Sequence, residues 1–160
     1  MRSLPQVFQN EHAAKCELAG EVLRSSGRLR LGVTGWSMLP SVRPGDTLVI
    51  ESADEGAVSE GDIVLFMRER RLCVHRVVKK NRALAGTTIL TRGDAMQRPD
   101  PPVSDCDLLG KVTSIVRNGK HIEPQTPRLA QRAVSALVRN SEFAARVVVG
   151  VHGMRQKLLN

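Results

Sequence analysis

The chain has no tyrosine, and three Phe and one Trp bring its aromatic content to 2%. A protein that reads single-stranded nucleic acid by stacking bases has almost nothing here to stack them on. Cysteine is scarce as well: Cys16, Cys73 and Cys106 are odd in number, widely spaced and without a CxxC pair. That usage fits reduced thiols rather than a disulfide framework, and it offers no metal-ligand spacing. Nowhere do 18 apolar residues run together, and residues 1–10 hold no apolar stretch of signal-peptide length. The expectation is a protein that is cytoplasmic or peripherally membrane-associated, with no transmembrane helix.

Hydrophobic residues make up 41% of the 160 positions and charged residues 25%, a composition that supports one globular domain with appendages. The formal charge of +8 would ordinarily suggest a nucleic-acid or anionic-membrane partner. Its distribution argues otherwise for the body, because residues 126–160 hold six bases (Arg128, Arg132, Arg139, Arg146, Arg155, Lys157) against one acid, Glu142. The centre is therefore nearly balanced, and no nucleic-acid partner is expected.

Three segments follow from pattern: an N-terminal helical extension over 1–27, a β domain over 28–124 and a basic amphipathic segment over 125–160. Asn10 is placed to cap a helix running to Arg24, with Ala14, Leu18 and Val22 on one stripe and Gly27 as its stop. From Leu29 the pattern shortens to β-type runs at 29–34, 47–51, 62–67, 72–79, 87–91 and 109–117. Pro44-Gly45-Asp46, Glu60-Gly61-Asp62, Gly93-Asp94 and Asn118-Gly119 punctuate them, and Asp46 and Asp62 read as turn hydrogen-bonders. Three prolines between Arg98 and Pro102 imply a stiff surface loop. After Pro127 a helical period returns over 128–138, with Arg132, Arg139 and Arg146 recurring every seven residues. Most such stripes are solvated helix faces; the competing expectation is an interfacial helix over 128–148 against an anionic membrane.

Ser37, in Gly35-Trp36-Ser37-Met38-Leu39-Pro40, and His75, in Val74-His75-Arg76-Val77-Val78, are a candidate nucleophile and a candidate base on separate ordered segments. A serine hydroxyl needs a neighbour to take its proton at neutral pH, and imidazole titrates where that is feasible. A lone turn serine or strand histidine is more often structural, so the pair gains weight only from the motifs around it. Cys73 shares strand parity with His75 and offers a Cys/His alternative. His12, His121 and His152 are scattered and expected to face solvent.

The ordered pieces Gly35-Trp36-Ser37-Met38-Leu39-Pro40, Pro44-Gly45-Asp46, Gly61-Asp62-Ile63-Val64-Leu65-Phe66, His75-Arg76-Val77-Val78, Thr91-Arg92-Gly93-Asp94 with Asp100, and Leu109-Gly110-Lys111-Val112 resemble the S24/S26 serine peptidases. Within that group they resemble type I signal peptidases of the archaeal and endoplasmic-reticulum kind. The resemblance implies a mainly β fold of short bent strands with an N-terminal helix and a helical C-terminal tail. It makes Ser37 the acyl nucleophile and His75 the general base, where bacterial signal peptidases and self-cleaving repressors use lysine. Histidine needs the smaller shift to be neutral before attack, its reference pKa being ~6.5.

Asp94 and Asp100 match the acidic positions of the family. The likeness favours Asp100 as the carboxylate orienting His75, with Asp94 supporting the site by hydrogen bonding, a division the sequence leaves open. Met38 and Pro40 are implied to shape the substrate-binding turn, with backbone N–H groups as oxyanion donors. Gly35 stands where the family often has a hydroxyl residue, and Met96 where an amide is common. The implied reaction is endopeptidase cleavage of an extended peptide or protein substrate with small residues at the first and third positions before the cut, without a cofactor. The rival is a catalytically weak or inactive peptidase-fold domain that binds a peptide or partner protein. A self-cleaving repressor fits poorly, since the roughly thirty residues ahead of the β domain are too few for a helix-turn-helix unit and a cleavage linker.

Overall fold

The computed structural model describes residues 6–83 and 86–124. Helix α1 (Gln6–Ser26) leads into seven strands: β1 (Arg28–Gly32), β2 (Thr47–Ser52), β3 (Ile63–Arg68), β4 (Arg71–Ala83), β5 (Gly86–Arg92), β6 (Leu108–Arg117) and β7 (Lys120–Ile122). A single 3₁₀ turn, Asp105–Asp107, precedes β6. All pairings are antiparallel in one sheet of order β1-β2-β6-β3-β4-β5, with β7 added to β6. The mainly β architecture with a leading helix is as expected, whereas the helical segment predicted over 128–138 lies outside the described residues.

The buried pattern explains the topology. Strand β3 reads Ile63-Val64-Leu65-Phe66, a run without polar alternation, because both of its faces are covered. Ile63 and Leu65 join Leu48, Ile50, Val112, Ile115, Met38, Val42 and Leu23 in one apolar cluster. Val64 and Phe66 face a second, formed with Val58, Val77, Ile89, Val103 and Leu108. Pairing shifts between Val49 and Ile50, between Leu65 and Phe66, and between Val77 and Lys79 insert irregularities that bend these short strands.

Helix α1 packs on β1 and β4 through a different stripe from the expected one: Cys16, Ala19 and Leu23 are buried, Ala14 is exposed and Leu18 is 62% exposed. Spacing alone does not choose between two neighbouring stripes of small and apolar residues; the surface underneath does. Gly27 ends the helix as expected, at φ 69°, with its N–H donating to Leu23 O at 2.9 Å. Among the described residues no helix is long and apolar enough to cross a membrane.

The turns also divide into those visible in sequence and those not. Asn118 and Gly119 take positive φ values of 50° and 73° and close the β6–β7 hairpin. Glu69 and Arg70 do the same between β3 and β4 at 49° and 59°, although neither residue type announces a turn. Arg43 N–H donates to Asp46 Oδ2 and Ser59 N–H to Asp62 Oδ2, both at 2.8 Å, so both aspartates fasten turns.

Candidate active site

Ser37 lies in the turn that follows β1, and His75 lies on β4. Folding brings His75 Nε2 to 3.0 Å from Ser37 Oγ and His75 Nδ1 to 2.6 Å from Asp100 Oδ2. A carboxylate can only accept, so Nδ1–H donates to Asp100; in the neutral ring Nε2 is then the acceptor for the Ser37 hydroxyl. The three side chains form a continuous hydrogen-bonded line from hydroxyl to carboxylate, with the His75 and Asp100 side chains 13% and 20% exposed.

Each member is held by its neighbours. Thr91 Oγ1 donates to Asp100 Oδ2 at 2.7 Å, and Asp100 N–H donates to Thr91 O at 2.8 Å, tying the proline-rich loop to the end of β5. Arg68 Nη2 donates to Pro101 O at 2.7 Å and Pro102 O at 3.2 Å while its guanidinium lies 5.3 Å over the Phe66 ring. Phe66 in turn meets the His75 ring edge-on, with centroids 5.9 Å apart.

Asp94 serves a different partner. Arg76 donates to it through Nε at 2.9 Å and Nη2 at 2.8 Å, Ser41 Oγ donates to the same Oδ2, and Arg76 Nη1 donates to Gly61 O. Asp94 therefore joins the Ser37 turn to β4 through a buried ion pair and makes no hydrogen bond to His75.

Gly93 contributes as well, though in sequence nothing marks it beyond its place in Thr91-Arg92-Gly93-Asp94. A Cβ there would fall 2.5 Å from Ser37 O and 3.1 Å from Ser37 Cβ, and next to it Ala95 N–H donates to Ser37 O at 2.9 Å. The 93–96 turn thus clamps the Ser37 backbone at a distance that only glycine permits. At Gly35 the opposite holds: nothing stands within 4 Å of an added Cβ, so there is open room where relatives of this kind often carry a hydroxyl. Trp36 and Met96, on either side of Ser37, are nearly half exposed.

A cleft of about 740 Å³ opens beside Ser37 and His75, between the end of β1 and the start of β4. Met38 lines it and is otherwise buried, while Pro40 does not line it. His12, expected to face solvent, is half-buried and lines it as well; a histidine on a helix whose docking face was misassigned carried no usable signal. His121 is exposed and pairs with Ser114 Oγ at 3.0 Å, and His152 lies outside the described residues. Cys73 also lines the cleft. Burial first, and the Asp100 charge second, push its thiol pKa up, which disfavours the thiolate and weighs against the Cys/His alternative.

A sequence model of the Peptidase S24-like family matches residues 3–113. No curated protein matches the chain.

Proposed function

The chain belongs to the S24-like peptidase family, and on that premise we propose that it is a serine endopeptidase working through an acyl-enzyme, with His75 in place of the lysine base of its repressor-type relatives. The observation that carries the reading is the line Ser37 Oγ, His75 Nε2, His75 Nδ1, Asp100 Oδ2, with separations of 3.0 and 2.6 Å. In it, His75 takes the Ser37 proton as Oγ attacks the scissile carbonyl, Asp100 stabilises the imidazolium, and the proton passes to the leaving amine as the C–N bond breaks. A water molecule, deprotonated by the same ring, then releases the acyl group. The backbone N–H groups of Ser37 and Met38 meet no protein acceptor among the described residues, and they are the donors assigned to the oxyanion.

The histidine base and the order of the motifs favour a signal-peptidase-like specificity of the archaeal and endoplasmic-reticulum kind, with a peptide bound as an added strand along β1 and small residues at the first and third positions before the cut. Open space at Gly35 supports the second reading, a domain that binds such a peptide and cuts it slowly.

One experiment separates the two. A fluorophosphonate probe and fluorogenic peptides with small residues ahead of the cut are applied to the parent, Ser37→Ala and His75→Ala, with circular dichroism as a check on folding. The peptidase reading requires labelling and turnover in the parent and loss of both in folded variants. Labelling that survives Ser37→Ala overturns it, and a folded parent that binds peptide but neither labels nor cuts leaves the binder.

A further inference from the structure

The cleft beside Ser37 carries a charge pattern that peptide-bond cleavage does not require. Its walls are apolar, with Leu31 and Val33 on the β1 side and Leu72 and Val74 on the β4 side. Among the described residues, the charged or titratable groups along it, apart from Cys73 and His75, are basic: His12 and Lys15 from α1 and Arg71 from the start of β4. Among the described residues no carboxylate lines it. Acids and bases are nearly balanced over this body of the protein, so net charge alone does not produce such segregation.

The strand directions say where along a bound peptide this charge falls. From His75, β4 runs back to Arg71 over four residues, about 13 Å at the usual rise per residue. Arg71 shares the strand parity of Cys73 and His75, and β1 recedes from Ser37 beside it through Val33 and Leu31. A strand lying between them places its fourth residue from the cut near Arg71.

Resting on the peptidase reading above, we infer that the substrate is an apolar extended segment carrying Asp or Glu at about the fourth residue before the scissile bond, held by Arg71, with Lys15 and His12 lining the same cleft. The Arg71 guanidinium donates to that carboxylate as a charge-assisted pair, and the Lys15 ammonium adds positive potential in the same cleft. A segment whose residue there is Lys or Arg meets the like charges of Arg71 and Lys15 and is rejected.

The test is a set of peptides identical except for Glu, Gln or Lys at the fourth position before the cut, assayed for kcat/KM with the parent, Arg71→Gln and Arg71→Glu, and for binding to Ser37→Ala by fluorescence anisotropy. The parent prefers Glu to Gln to Lys by about fivefold per step at low salt, a spread that shrinks in roughly 0.5 M salt as exposed charges are screened. Arg71→Gln compresses the order and Arg71→Glu inverts it. Equal rates across the peptides, or an unchanged order in Arg71→Glu, overturns the inference while leaving the peptidase reading intact. If no peptide is cut by the parent, the peptidase reading fails, and the anisotropy ranking on Ser37→Ala alone decides whether the charge selection stands.

Discussion

At the scale of single residues, Asp94 and Asp100 differ in what they hold, and the difference is measurable. His75 and Arg76 are neighbours on β4 and project to opposite faces; Asp100 takes the first and Asp94 the second. Asp100→Asn offers Nδ1 a carbonyl or an amide in place of a carboxylate, so the imidazolium loses its counter-charge and the tautomer its lock. Turnover is expected to fall by about 10² to 10⁴ with little change in thermal midpoint. Asp94→Ala strips the partner from a guanidinium whose side chain is 6% exposed, and is expected to cost about 3–5 kcal/mol in denaturant unfolding. A large stability loss from the first change and none from the second would reverse these assignments. The sequence could not sort the two acids, because both sit in one short segment and only the pleat of β4 separates their partners.

At the scale of elements, the proline-rich loop carrying Asp100 is positioned by the β3–β4 hairpin as much as by its own stiffness. Arg68 reaches across from β3 to two successive carbonyls of that loop and stacks on the ring that abuts His75. Arg68→Ala is expected to lower kcat about tenfold with KM nearly unchanged, and to lower stability by about 1 kcal/mol. Steady-state kinetics with a chemical melt checks both, and an effect confined to KM would remove Arg68 from positioning Asp100. The loop was legible from its three prolines and the strands from their runs of Val, Leu and Ile. The clamp was not, since Arg68 looks in sequence like any solvent-facing arginine at a strand end, and the Glu69-Arg70 turn beside it lacks the usual turn residues.

At the scale of the whole molecule, burial sets how the protein responds to alkali. Desolvation, with Glu17 adding to it, raises the Cys16 pKa; desolvation, with Asp100 adding to it, raises that of Cys73. In the unfolded chain each thiol ionises near ~8.5, so above that pH the unfolded state loses protons that the folded state keeps. The resulting stability is fully present below about pH 8.5 and is lost as pH climbs toward the raised folded values. A denaturant midpoint that falls above about pH 8.5, and falls less in the Cys16→Ala, Cys73→Ala double variant, is the expected outcome. In parallel, mass spectrometry after brief alkylation at pH 8 should find the exposed Cys106 modified well before the other two. Equal labelling of all three would contradict the burial of Cys16 and the raised thiol pKa of Cys73.

The amino-acid sequence by itself determined the β class, the break at Gly27, most of the turns, and the pairing of a serine with a histidine, because each rests on local dihedral preference or on a short motif. Only the tertiary structure decided which stripe of α1 docks, which aspartate meets His75, why Gly93 admits no side chain, and that the cleft gathers bases from α1 and β4. Those depend on contacts between residues far apart in the chain, and local periodicity carries no record of the surface that will finally lie opposite.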